Sequence, residues 1–139
     1  WLFFAILAAS SFGFYNFFTK LTADKFSPSV ALMIIAGTSF LIATITTFIV
    51  KLSGQTIIFT KSSILIPVAA GLFTGFAEIF YLLMFSKNAP ISIGNPLVVG
   101  GTTVIAVILG VIILKEPMNP IKISGIILTI LGLIVLSRG

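Results

Sequence analysis

Five apolar runs, each about long enough to cross a bilayer and separated by isolated cations and prolines, decide what this chain can fold into. A spanning helix needs ~20 mostly apolar residues, because ~30 Å of hydrocarbon divides by 1.5 Å of rise per residue. The runs cover about 1–18, 29–50, 64–86, 91–114 and 121–136. Lys20, Asp24, Lys25 and Pro28 interrupt after the first, and Lys51, Gly54, Gln55 and Lys61 after the second. Lys87-Asn88-Ala89-Pro90 follows the third, Lys115-Glu116-Pro117-Met118-Asn119-Pro120 the fourth, and Arg138 closes the fifth. Barrel strands would be ~10 residues long with alternating polarity. Here polar residues recur at every third or fourth position inside each run, which is a helical period. The expectation is an all-α integral membrane protein, one five-helix transmembrane domain over 1–139.

Composition agrees. Hydrophobic residues are 58% and charged residues only 8%, with mean hydropathy +1.27. A soluble domain carries roughly 25% charged residues, because water must be met by polar groups over most of its surface. Net charge is +5, yet the basic residues stand singly, without the patch or stripe that nucleic acid requires. Cys and His are absent, which removes thiolate and imidazole ligands, thiol nucleophiles and the usual general base. An enzyme, a metal site and a cofactor are therefore not expected. The chain opens on Trp1, so a few residues are expected ahead of it. Its first run is too long and too aromatic for a signal-peptide core, and no A-x-A-like site follows.

Small residues recur at helical spacing. Gly71, Thr74, Gly75, Glu78 and Tyr81 form one stripe, Thr102, Ala106 and Gly110 another, and Gly125, Thr129 and Gly132 a third. In lipid there is little hydrophobic drive between helices, so close backbone approach has to hold a bundle. Helix packing is the expected use of Gly71, Gly75, Gly110, Gly125 and Gly132, within one chain or between two. The fourteen Phe are expected to face lipid or to pack.

Orientation is normally set by an excess of Lys and Arg on the cytoplasmic loops. With five crossings, the Trp1 side (face A) receives Lys51, Lys61, Lys115 and Lys122. Face B receives Lys20, Lys25, Lys87 and Arg138. Four against four sets no preference, unless residues beyond the termini or a partner chain supply one. A chain that inserts both ways would pair as an antiparallel homodimer, with a pseudo-two-fold axis in the membrane plane.

Glu78 is the one acid inside an expected span. Burying a carboxylate there costs at least ~2.5–3.5 kcal/mol, so it must face a polar interior, find a partner or take up a proton. It is a candidate for proton coupling or for holding a cationic group; the alternative is a protonated side chain bonded between helices. Tyr15, Asn16, Tyr81 and Asn95 fall at a similar depth from face B, within ~8 Å at helical rise. Together they suggest a substrate cavity with apolar walls and a few polar groups. Pro96 frees a carbonyl in the turn before it, and Ser92, Gly94 and Asn95 suggest an irregular start to the fourth helix. Lys20 either snorkels to the headgroups or reaches inward toward Glu78 or an anionic substrate. Glu116, beside Lys115, reads as a loop and helix-end residue.

These motifs resemble those of a known family. Ile91 to Leu136 is similar to the closing segment of an EamA-type repeat of the drug/metabolite transporter superfamily. That pattern is a Lys-x-Ala-Pro turn, an apolar helix, a Gly-Glu-type helix end and a glycine-bearing last helix. It stands here as Lys87-Asn88-Ala89-Pro90, Leu114-Lys115-Glu116-Pro117, and Ser124-Gly125-Ile126-Ile127-Leu128 through Gly132-Leu133-Ile134. The aromatic first helix ending in Lys20, with Ser27-Pro28 before the second, resembles the family's opening. Full-length members look like two inverted five-helix repeats, so this chain resembles the single-repeat branch and the resemblance implies that a second copy supplies the missing half. The small multidrug resistance proteins are distant four-helix relatives, and Phe80-Tyr81-Leu82-Leu83 with the last two helices looks like theirs. Their coupling Glu stands in the first helix, where this chain has Ala8, Ala9, Ser10 and Ser11, so Glu78 takes no role from that motif.

The expected function is a small-solute transporter protomer (metabolite, amino acid or drug-like compound) working by alternating access. Its expected partners are the solute, membrane lipid and a second copy, in a cell (plasma or inner) membrane. A subunit that flips lipid-linked substrates, or an anchoring subunit without transport, is the alternative.

Overall fold

The structure, a computed structural model, describes residues 1–138 and consists of five α-helices and one 3-10 turn, with no strand among the described residues. The helices are α1 (Leu2–Ala23), α2 (Pro28–Leu52), α3 (Leu65–Ser86), α4 (Ile91–Ile112) and α5 (Pro120–Leu136). Four of them are long and apolar enough to cross a bilayer. The fifth has 17 residues, about 25 Å of rise, at the short end of the spanning range. The chain forms two compact units, Trp1–Lys87 and the residues from Asn88 onward.

Each helix end follows from local chemistry. Pro28 and Pro120 occupy the first turns of α2 and α5, where a missing N–H costs nothing. Asn119 caps α5, its side-chain oxygen accepting from the Lys122 N–H at 2.8 Å. Beyond α2, Gly54 takes a φ of +72°, and the Gly54 and Gln55 N–H groups donate to the Lys51 and Val50 carbonyls. That paired closure needs a left-handed residue, which only glycine adopts without strain. α1 continues past Phe18 and Lys20 to Ala23, because Thr and Lys are tolerated in a helix that has left hydrocarbon. α4 starts regularly at Ile91 and runs unbroken through Pro96, so the irregular start expected around Ser92, Gly94 and Asn95 does not occur. The Ile93 and Gly94 N–H groups both donate to the Pro90 carbonyl, which anchors that first turn.

In the first unit α3 is the spine, packing against both α1 and α2. Its buried residues are Asn16, Thr19 and Ala23 of α1, Ala31 of α2, and Tyr81, Leu82 and Phe85 of α3. All lie at one end: the last turns of α1 and α3 and the first of α2. In the second unit α4 packs on α5, with Gly100 so placed that any added Cβ would run into the Leu133 side chain.

Elsewhere the helices present apolar surface. Phe3, Phe40, Phe48 and Phe73 are each more than 60% exposed. Most span hydroxyls are bonded to their own helix: Ser10, Ser11, Thr38, Thr44, Thr46, Thr47, Thr74, Thr103 and Thr129 each donate to the carbonyl four residues earlier. A hydroxyl satisfied in this way can face lipid.

Candidate functional site

Above the packed end of the first unit lies a cavity of about 450 Å³ between α1, α2 and α3. α2 contributes Leu32, Ile35, Ala36 and Ser39, and α3 contributes Gly71, Thr74, Gly75 and Glu78. Both sets follow i, i+3, i+4, i+7, one face of a helix. The two stripes border the same space, and Phe12 and Tyr15 of α1 complete the wall.

The small residues on α3 border this space and face no neighbouring helix of their own chain. No other group stands within 4 Å of a Cβ built on Gly71 or Gly75, so neither serves close packing within the described residues. Their missing side chains make room. Gly125 and Gly132 are equally open, whereas Gly110 meets the Glu116 carboxyl at 3.4 Å. Gly100, outside the stripes read from the sequence, is the glycine of α4 that lies against Leu133 of α5.

At the floor of the cavity the Tyr15 hydroxyl donates a hydrogen bond to Oε2 of Glu78. Further toward the ends of both helices, Lys20 Nζ approaches the Phe85 carbonyl at 3.4 Å and lies 5.6 Å from the centroid of its ring. The Tyr15–Glu78 and Lys20–Phe85 pairs are 63 and 65 residues apart in sequence, so α1 and α3 run parallel in nearly constant register. Lys20 also lies 3.8 Å from Asp24, one turn along α1. It therefore caps the end of α3, its ammonium adding a donor to the Phe85 carbonyl at the negative end of that helix.

Beneath the floor, Tyr81 stacks edge-on against Phe85 with centroids 4.7 Å apart. Tyr81 and Asn16, both expected to line the cavity, are buried in this packed end. Of the sequence candidates, the cavity brings together Tyr15 and Glu78. Asn95 lies in the second turn of α4, half-buried, in the second unit. Sequence reading missed Phe12 and Ser39. Ser39 is the one polar member of the 32, 35, 36, 39 face, and that period was available to find it. Phe12 packs edge-on against Tyr15, with centroids 6.4 Å apart. Among the described residues no group of acids could hold a metal ion.

A carboxylate held by a phenol, at the bottom of an apolar cavity without a cation on its walls, can exchange a proton or receive a positively charged group. The EamA-like transporter family model matches residues 1–138. The chain belongs to that family. No curated protein and no solved structure matches it. As an EamA-like chain it is a multi-pass membrane protein from a family of transporters of small solutes, not of enzymes.

Proposed function

We propose that the chain is half of a small-solute transporter of the cell membrane, working by alternating access as an antiparallel homodimer with Glu78 as its working group. The Tyr15–Glu78 pair facing the cavity carries this reading. Desolvated carboxylates are expensive in a bilayer and persist where they have a task. Proton uptake, or arrival of a cationic solute, removes that cost. Tyr15 holds the carboxylate in place until one of them arrives. The cavity walls, Phe12, Leu32, Ile35 and Ala36, suit the apolar part of a metabolite or drug-like compound, and Ser39 and Thr74 supply polar contacts.

Asn16, Thr19, Tyr81, Leu82 and Phe85 close the cavity on the side of Lys20. In a twin inserted the other way up, the same closure would stand at the opposite membrane face. Exchanging open and closed ends between the copies would carry the solute across. The five-helix unit over 1–139 is then the transporting protomer, and Asn95 of α4 is a candidate for solute contact within the second unit.

The test is Glu78→Gln in proteoliposomes. The variant assembles as the parent does, and gradient-driven uphill uptake is lost. Unchanged uptake would remove Glu78 from the mechanism, and an assembled protein that transports no solute before mutation would favour an anchoring subunit.

A further inference from the structure

The second unit carries its own cavity of about 450 Å³, lined by residues of α4, α5 and the loop between them. Two charges face it, Glu116 and Lys122. Lys115, with a φ of +54°, turns the chain back so that the Glu116 N–H donates to the Gly110 carbonyl at 3.1 Å. The Glu116 carboxyl then lies against Gly110, over the place where a side chain would otherwise stand. Lys122 is fixed as well: its backbone N–H is bonded to Asn119, and its Nζ donates to the Pro117 carbonyl at 2.9 Å. The two charges do not pair; Lys20–Asp24 is the single ion pair among the described residues.

From these charges the groove runs into apolar surface. Val104, Val107 and Val111 of α4 and Ile126 of α5 form its walls, and Thr103 and Thr129 its far end. Thr103 to Val111 is about 12 Å along the helix, and Thr103 lies near the middle of α4. The groove thus reaches from the loop at a helix end to about mid-span, close to half of a ~30 Å hydrocarbon layer.

We propose that this groove binds one zwitterionic aminophospholipid of the phosphatidylethanolamine type. Glu116 accepts N–H bonds from the primary ammonium, Lys122 meets the phosphate, and one acyl chain lies along Val104, Val107 and Ile126. Opposite charges held apart match a headgroup with both signs. A choline headgroup has no N–H to donate to Glu116. An anionic lipid without an ammonium would set its phosphate against that carboxylate. A free zwitterion would leave the apolar walls uncovered. The site is independent of Glu78.

The test uses the purified protein in detergent micelles doped with phosphatidylethanolamine, phosphatidylcholine or phosphatidylglycerol, or mixed with soluble phosphoethanolamine. Thermal unfolding and lipid retained in native mass spectrometry are read together. Phosphatidylethanolamine is expected to raise the unfolding temperature saturably and to stay bound, at about tenfold lower concentration than the other three. Glu116→Gln and Lys122→Gln each weaken that response about tenfold or more, since each deletes a charge-assisted bond. Val107→Trp, which fills the groove and keeps both charges, abolishes it. Should Glu116→Gln fail to fold, Lys122→Gln and Val107→Trp carry the same reading. Equal responses to all three lipids, retention untouched by the substitutions, or a free headgroup as effective as the lipid would each overturn the proposal.

Discussion

At the scale of single residues, two glycines with the same look in the sequence do opposite work. A methyl on Gly75 enters open cavity, while one on Gly100 runs into Leu133. Gly75→Ala is therefore expected to stabilise the protein by about 0.5–1 kcal/mol, the helix-propensity difference, because nothing has to move. Gly100→Ala is expected to destabilise it by about 1–3 kcal/mol, as Leu133 is displaced from the α4–α5 seam. Thermal unfolding of the two variants in one detergent checks both signs, and equal shifts would contradict the packing described. Gly75→Phe extends the argument to function: it occupies the cavity and should stop uptake while the protein still folds. Tyr15→Phe removes the hydroxyl that holds Glu78 and little else, since the ring stays against Phe12. Its expected effect is a stability loss of ~1.5–3 kcal/mol, the worth of a hydrogen bond to a charged group, together with about a tenfold or greater loss of transport by protein that is still folded. Full activity of Tyr15→Phe would mean that Glu78 needs no such support.

At the scale of helices, the apolar runs and their proline and glycine breaks carried most of the fold. Pro28, Gly54, Pro90 and Pro120 mark ends that the structure shows, because each acts through its own backbone. That Tyr15 and Glu78 share a level, as their hydrogen bond shows, was legible too, since rise per residue is a property of any helix. Which way each points was not. One residue is 100° of helix, and that turn separates Tyr15, at the cavity, from Asn16, in the packed end. Nor does period distinguish a stripe of small residues that admits a neighbouring backbone from one that leaves space, as Gly71 and Gly75 do. The native chain has no Cys, so single cysteines can report the difference between the two ends directly. Ser39→Cys, on the cavity face of α2, should react with a membrane-impermeant maleimide in proteoliposomes. Leu82→Cys, which replaces a fully buried side chain, should stay unlabelled until the protein is unfolded. Labelling of both at one rate would mean that the end near Lys20 is not closed.

For the whole molecule, the balance of cations is a thermodynamic statement about insertion. Lys and Arg near span ends bias a loop toward the cytoplasm, and the proposed five-crossing protomer carries four on each face, which would leave its two orientations nearly level. Removing one charge should therefore tip the population. In Lys61→Ala, face A keeps three cations against four, so face B and the Arg138 end should become cytoplasmic. In Lys87→Ala the bias reverses. Reporters fused behind Arg138 in the full-length protein, one active only in the cytoplasm and one only outside, read this directly. Both should be active for the parent, and each substitution should silence a different one. Lys61 and Lys87 lie in connecting segments outside the cavity of α1, α2 and α3, so neither change touches Glu78. Transport then supplies the second half of the argument. Each variant alone inserts one way and lacks an upside-down partner, so its uptake should fall well below that of the parent. Co-expression of the two restores both orientations and should restore uptake, although no single chain has been repaired. If either variant transports fully on its own, the working unit does not require opposed copies.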